Sequence, residues 1–288
     1  MIISKLRKEY HHRLCKEIIR VKREERGKKE YPNFADGSNL SSVRIAAGII
    51  KRLQYTKNYA AVKEQTVGDH FETITKEFLE SAFRFLDHVR PGKWHYSTVQ
   101  TDISGYDQYE HLAYIKGIIE KDKRLSSALG GNYIVKPDII VAREPVGDKE
   151  INRKKNLVGS SDVAATLTPF RRTNQTTPRL ILHASISCKW TIRSDRSQNT
   201  RTEALNLIRN RKGHLPHIVA VTAEPLPTRI ATLALGTGDL DCVYHFALNE
   251  LRETIKSVEN QDQLEMLEMM VEGRRLRDIS DLPFDLAI

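Results

Sequence analysis

The chain has 288 residues, 40% of them hydrophobic, which is enough apolar material for a sizeable core. Lysine and arginine exceed aspartate and glutamate by 46 to 37, a net charge of +9 that favours a polyanionic partner over an acidic small molecule. Three cysteines far apart, Cys15, Cys188 and Cys242, form no CxxC pair; this argues against a thiolate zinc site and reads as reduced thiols in a cytosolic protein. The N-terminus carries charge throughout with no apolar signal core, and no uncharged run reaches membrane-spanning length, so neither secretion nor membrane insertion is expected.

In chain order, the first thirty residues are a basic helical pattern, followed by the turn-rich YPNFADGSNLSS (31–42). From Ser42 the spacing of Ile45, Ala46, Ile49, Ile50 and Leu53 predicts an amphipathic helix. A longer one is predicted from about Asp69 to Val89, with Phe71, Ile74, Phe78, Ala82, Phe85, Leu86 and Val89 on one face, stopped by Pro91-Gly92. Residues 108–129 read as mostly helical. YIVKPDIIVAR (133–143) and RLILHASISCKW (179–190) read as strands, 201–211 as helix, 217–224 and 229–236 as strands, and the chain from about Phe246 as helical. Helices around a central group of strands, with no Pro/Gly-rich linker, predict an α/β fold in one domain spanning 1–288.

Two strand charges stand out. Asp138 follows Pro137 in one strand and Lys189 ends another, where burial of either charge is expensive unless it meets a partner, a metal or a substrate. Metal-assisted phosphodiester hydrolysis needs carboxylates to hold Mg²⁺ and a nearby cation; an ordinary buried Asp–Lys pair is the alternative at this point.

PDII (137–140) followed by Ser187-Cys188-Lys189 resembles the PD-(D/E)xK nuclease motif, with Ser187 standing where the second acid belongs. Lys189 followed after thirteen residues by Glu203 is similar to the variant found in restriction endonucleases that recognise sites with a CCGG core. GSN (37–39), Phe71-Glu72, HASISCKWTIRSDR, LNLIRNRKG, LPHIVAVTAEP, ALGTG, DCVYHFAL and DISDLPFDLA extend the likeness over nearly the whole chain.

The resemblance implies a central mixed β-sheet flanked by helices, with Asp138, the main-chain carbonyl of Cys188 and Glu203 as metal ligands, Lys189 assisting the attacking water or the phosphorus, and Glu72 as a further carboxylate. It implies Mg²⁺, two ions per active site. Thr200 to Glu203 also spells a capping box, so Glu203 has a second reading as a helix cap.

Arg193, Asp195 and Arg196 suit a CC/GG reader, because arginine donates two bonds to guanine and aspartate accepts from cytosine in the major groove; a surface salt-bridge cluster is the competing reading. By resemblance, Asp36 and Arg229 read an outer G·C pair and Gln65 makes a minor-groove contact, although Asp36 before Gly37 also suits an ordinary turn.

The expectation is thus a Mg²⁺-dependent bacterial, cytoplasmic type II restriction endonuclease cutting double-stranded DNA at GCCGGC after the first G and paired with a cognate methyltransferase. A palindrome demands two-fold symmetry, and the resemblance implies a tetramer of two dimers. Apolar stripes at Leu251, Ile255 and Val258 and at Leu264, Leu267 and Met270 suit either core or interface. A DNA-binding protein with an inactive nuclease fold is the alternative, and a repair nuclease of the same superfamily would have no need of the arginine–aspartate reader.

Overall fold

A computed structural model describes residues 1–24, 29–60, 63–99, 102–121, 124, 127, 134–172, 178–236 and 238–288. Helix α1 (Ile2–Glu17) ends well short of residue 30. Ile18 and Ile19 turn fully into the core, and Val21–Glu24 (β1) pairs antiparallel with Lys29–Pro32 (β2). The helical reading of the first thirty residues is therefore corrected beyond Glu17, where closely spaced β-branched residues favour an extended chain.

Helix α2 (Leu40–Arg52) starts at Asn39, whose side chain accepts from the Ser42 amide, and buries Ile45, Ala46, Ile49 and Ile50 as their spacing predicts. Helix α3 (Glu64–Arg84) is shifted towards the N-terminus relative to the expected span. Phe85 and Val89, expected on its buried face, are 51% and 59% exposed. The chain leaves the helix at Phe85, so the 3.6-residue period no longer places these side chains; Phe83 is the buried one, edge-on to Trp94 at 5.1 Å. Helix α4 (Glu110–Ile119) fills part of the expected 108–129 span, half of whose remainder lies outside the described residues.

The six-stranded sheet runs in chain order: β3 (Trp94–Ser97), β4 (Ile139–Arg143), β5 (Ile181–Lys189), β6 (His217–Thr222), β7 (Cys242–His245) and β8 (Leu276–Asp278). The first two pairings are antiparallel and the last three parallel, which makes the sheet mixed. Leu182–Ile186 are all buried, the mark of a strand covered on both faces, and α3 packs against β5. Strand β4 begins later than expected, after Asp138, since Pro137 has no amide to give the ladder.

Helix α5 (Ser194–Asn210) starts seven residues earlier than the sequence suggested. The stretch 229–236, expected as a strand, is helical: α6 (Pro227–Ala234) has proline in its first turn and buries Ile230, Leu233 and Ala234 at helical spacing. Helices α7 (Leu248–Ser257) and α8 (Gln261–Glu272) follow β7, and β8 interrupts the expected C-terminal helical region.

Hydrophobic contact is continuous from Tyr10 to Leu286. Arg7 ties α1 to the C-terminal elements with forked bonds to Glu250 (2.6 and 2.9 Å) and Asp278 (2.8 Å). Leu251, Ile255, Leu267 and Met270 are fully buried, with Val258 and Leu264 packed against them, so both C-terminal stripes belong to the core of the chain. Among the described residues, no helix is long and apolar enough to cross a membrane.

Candidate active site

The β4–β5 register assembles the centre of the site. Ile139 lies across from Ile186, so Asp138 falls opposite Ser187, and the two-residue period of a strand puts Lys189 on the same face as Ser187. Asp138 Oδ2 accepts from Lys189 Nζ at 2.9 Å, from the Cys188 amide at 2.7 Å and, more weakly, from Ser187 Oγ at 3.4 Å. The Asp138 and Lys189 side chains are only 18% and 19% exposed, so water screens this pair poorly. Burial pulls the Lys189 ammonium down, but the charge and hydrogen bond of Asp138, with help from Glu203, more than offset it and hold its pKa above the usual lysine value.

Two further carboxylates feel this centre. Glu72, on α3, is pushed up to about 7, first by burial and then by the negative charges of Asp138 and Asp69, with Lys189 opposing. Glu203, on α5, is also raised by burial; Lys189 opposes the shift and Asp138 adds to it. Because α5 starts at Ser194, Glu203 lies in its third turn, which removes the helix-cap reading.

Among the described residues, no three acidic, imidazole or thiol side chains stand together as a closed metal cage. The donor chemistry nevertheless suits a hard divalent cation: these are carboxylate oxygens, and the burial that chiefly raises Glu72 and Glu203, together with the repulsion each feels from Asp138, is what such a charge would relieve. Cys188 contributes backbone only, since its thiol is buried and its pKa lies well above the usual value.

An open cleft of about 1630 Å³, larger than a usual small-molecule pocket, runs over this centre. Asp36, Gln65, Glu72, Asp138, Cys188, Lys189, Arg193, Glu203 and Arg229 all line it. Ser187 touches the Asp138 carboxylate without lining the cleft. Arg193 is the extended N-cap residue of α5 and is exposed. Asp195 and Arg196 belong to the first turn of that helix, and their side chains lie outside the described residues.

Asp36 makes the turn that its place before Gly37 suggested and also meets Arg229. One oxygen accepts from the Ser38 amide (3.0 Å) and hydroxyl (2.6 Å), making the turn, while the other accepts from Arg229 Nη2 at 2.5 Å. The Ser38 hydroxyl and Arg229 together hold the carboxyl at about 2.

An aromatic cluster carries these segments. Trp190 packs edge-on against Phe34 (5.7 Å) and Phe71 (5.1 Å), and Phe246 lies at 6.3 Å. Three of its four rings thus neighbour in sequence the residues that line the cleft: Lys189 beside Trp190, Glu72 beside Phe71, and Asp36 two positions from Phe34. Sequence reasoning missed Asn199, which joins the cleft because α5 begins early, and Glu224, a carboxylate 1% exposed just beyond β6. The visible signal for Glu224 was an acid ending an apolar strand immediately before proline.

A mixed sheet with an aspartate–lysine pair at the ends of adjacent central strands, opening on a large cleft, is the arrangement of a PD-(D/E)xK nuclease. The chain belongs to the NgoMIV restriction enzyme family, whose sequence model matches residues 10–288, and is a type II site-specific deoxyribonuclease. It is 51% identical over 258 residues to the type II restriction enzyme NgoMIV of Neisseria gonorrhoeae, covering 88% of this chain and 89% of that protein. Among solved structures, the type IIF restriction endonuclease Bse634I with cognate DNA aligns with 84% of this chain and 96% of its own at 11% identity and a TM-score of 0.34. The restriction endonuclease PspGI–substrate DNA complex aligns with 99% and 91% at 14% identity and 0.25. Enzymes of this kind are generally dependent on a divalent metal.

Proposed function

We propose that the protein cleaves double-stranded DNA at GCCGGC after the first G, leaving a four-base 5′ overhang, with Mg²⁺ as cofactor at two ions per active site. The observation that carries this reading is the Asp138–Lys189 pair at the floor of a cleft that also exposes Arg193 and the Arg229–Asp36 pair. Asp138, the Cys188 carbonyl and Glu203 hold the metal, with Glu72 as an additional carboxylate; bound there, Mg²⁺ supplies charge for the phosphate and acidifies the attacking water. Lys189 offers its ammonium to the phosphate oxygen on which charge develops, and Asp138 holds that ammonium in place. Ser187 supports the Asp138 carboxylate.

Arg193 and Arg196 take the two guanines of each CC/GG half and Asp195 the adjacent cytosines, while Arg229 and Asp36, already side by side, suit an outer G·C pair. Gln65 reaches the minor groove. A palindromic site calls for a two-fold assembly, here a dimer of dimers, each chain one domain over 1–288. The enzyme works in the bacterial cytoplasm beside a methyltransferase that protects the host's own sites.

Digestion of a plasmid with Mg²⁺, followed by sequencing of the ends, tests activity, site and overhang together. Ends at G/CCGGC are expected. Specific binding without cutting would instead favour an inactive DNA-binding protein, and ends scattered over many sequences would remove the specificity claim.

A further inference from the structure

Glu224 lies where β6 gives way to α6; it is buried, and its Oε1 forms a long ion pair with Arg229 Nη1 at 4.0 Å. Its two oxygens divide their work. Oε2 accepts the amide of Ile192, the residue immediately before Arg193, at 2.9 Å. Oε1 accepts the Leu226 amide at 3.2 Å, at the N-cap of the helix whose first turn carries Arg229. The Glu224 backbone is itself fixed, its amide donating to Thr222 Oγ1 at 3.1 Å and its carbonyl accepting from His245 Nε2 at 3.2 Å.

We propose that Glu224 is a positioning residue for sequence discrimination: one carboxylate clamps the segment that presents Arg193 to the segment that presents Arg229, and so fixes the spacing between core and outer readers. The inference rests on the reading that these two arginines contact bases. The chemistry requires two equivalent acceptor oxygens. A glutamine keeps the volume but has one, and would turn its NH₂ group against the second amide. Burial outweighs the two amides and Arg229 and leaves the carboxyl at about 7, so the clamp is maintained against a desolvation penalty. A base reader displaced by a fraction of an ångström loses its two-bond geometry, whereas the Asp138–Lys189 centre is held by separate contacts.

The test compares Glu224→Gln with the parent enzyme on duplexes carrying GCCGGC, the same site altered at the outer pair, and the same site altered within the core. Discrimination against both altered duplexes is expected to fall at least tenfold, with KM for GCCGGC raised and kcat at saturating duplex within about threefold. Retained discrimination at either position overturns the clamp, because a shared anchor must act on both readers. So does a glutamine variant that fails to fold or loses kcat outright, since Glu224 is then a structural residue only. Arg193→Ala and Arg229→Ala, run alongside, separate the two levels. If the arginine variants keep full discrimination, the base-reading assignment has failed; if they lose it and Glu224→Gln does not, only the clamp has.

Discussion

Lys189 and Glu203 face the same buried aspartate from opposite chemical sides, and their replacements should separate reaction from recognition. Lys189→Ala is expected to abolish cutting while leaving GCCGGC affinity within about tenfold, or roughly 1.4 kcal/mol, since on the proposed mechanism the ammonium addresses the phosphate under attack and not a base edge. A binding assay showing equal loss of affinity would reject that role. Glu203→Gln, in the third turn of α5 and free of any capping duty, should likewise be inactive with its helix intact, so that near-normal cleavage excludes it from the metal set. At the reading arginines, Arg193→Ala should relax discrimination within the core and Arg229→Ala at the outer pair, each by about 1–3 kcal/mol per lost guanine contact. If Arg229→Ala weakens all sequences equally and lowers the salt dependence, it is a phosphate contact. The Asp138–Lys189 meeting was legible in the sequence because both charges fall on apolar strand patterns, and neighbouring strands can bring them together; that Asp138 stands just before β4 was not. The role proposed for Glu224 was not: the acid before proline is visible, but the two backbone amides it accepts leave no trace in residue identity.

Among the elements, the aromatic seat beneath the cleft and the strand β7 behind it make separate demands. Truncating Phe71 or Trp190 to alanine removes a large buried side chain from between segments that line the cleft, which should cost about 3–5 kcal/mol of stability and reduce cleavage as well. Denaturant midpoints measured beside activity would show whether the two losses travel together. His245 supplies a pH test. Its Nδ1 accepts the Ala247 amide at 3.1 Å while Nε2 donates to the Glu224 carbonyl, so the ring must stay neutral; burial outweighs Asp278 and both bonds and holds its pKa at about 4. A folded pKa below the unfolded one of about 6.5 gives stability that is complete above that pH and is lost as pH falls towards 4. His245→Asn keeps an acceptor for the Ala247 amide and does not titrate. It should be about 1–3 kcal/mol less stable than the parent at pH 8, with the gap closing between pH 6.5 and 4; a constant gap would mean that His245 titrates normally. Element boundaries were the least legible feature. The 229–236 stretch satisfies strand composition, but Pro227 and the burial of Ile230, Leu233 and Ala234 make it a helix, and which of its faces meets the core is decided by the rest of the molecule.

For the whole molecule, the open issue is what the reader cleft requires of a second chain. A single cleft presents one set of Arg193, Asp36 and Arg229, whereas a palindrome offers two identical half-sites, so symmetric cutting needs at least two copies. The C-terminal stripes cannot supply that contact because Leu251, Ile255, Leu267 and Met270 are already spent on the core of their own chain. A dimer-of-dimers assembly therefore has to be tested by its functional consequence. If two clefts must be filled before either cuts efficiently, a plasmid with two GCCGGC sites should be cleaved faster than one with a single site. A short duplex bearing the site should then accelerate cleavage of the one-site plasmid, because a ligand filling the second cleft contributes the same coupling free energy from outside the plasmid. Doubling the spacing between the two sites should leave the duplex stimulation of the one-site plasmid untouched while changing the two-site rate, since only the latter depends on the effective concentration set by the intervening DNA. Equal rates on both plasmids, no stimulation by the duplex and a dimer mass by light scattering would together reduce the assembly to a single dimer, with the Asp138–Lys189 centre and its readers unaffected.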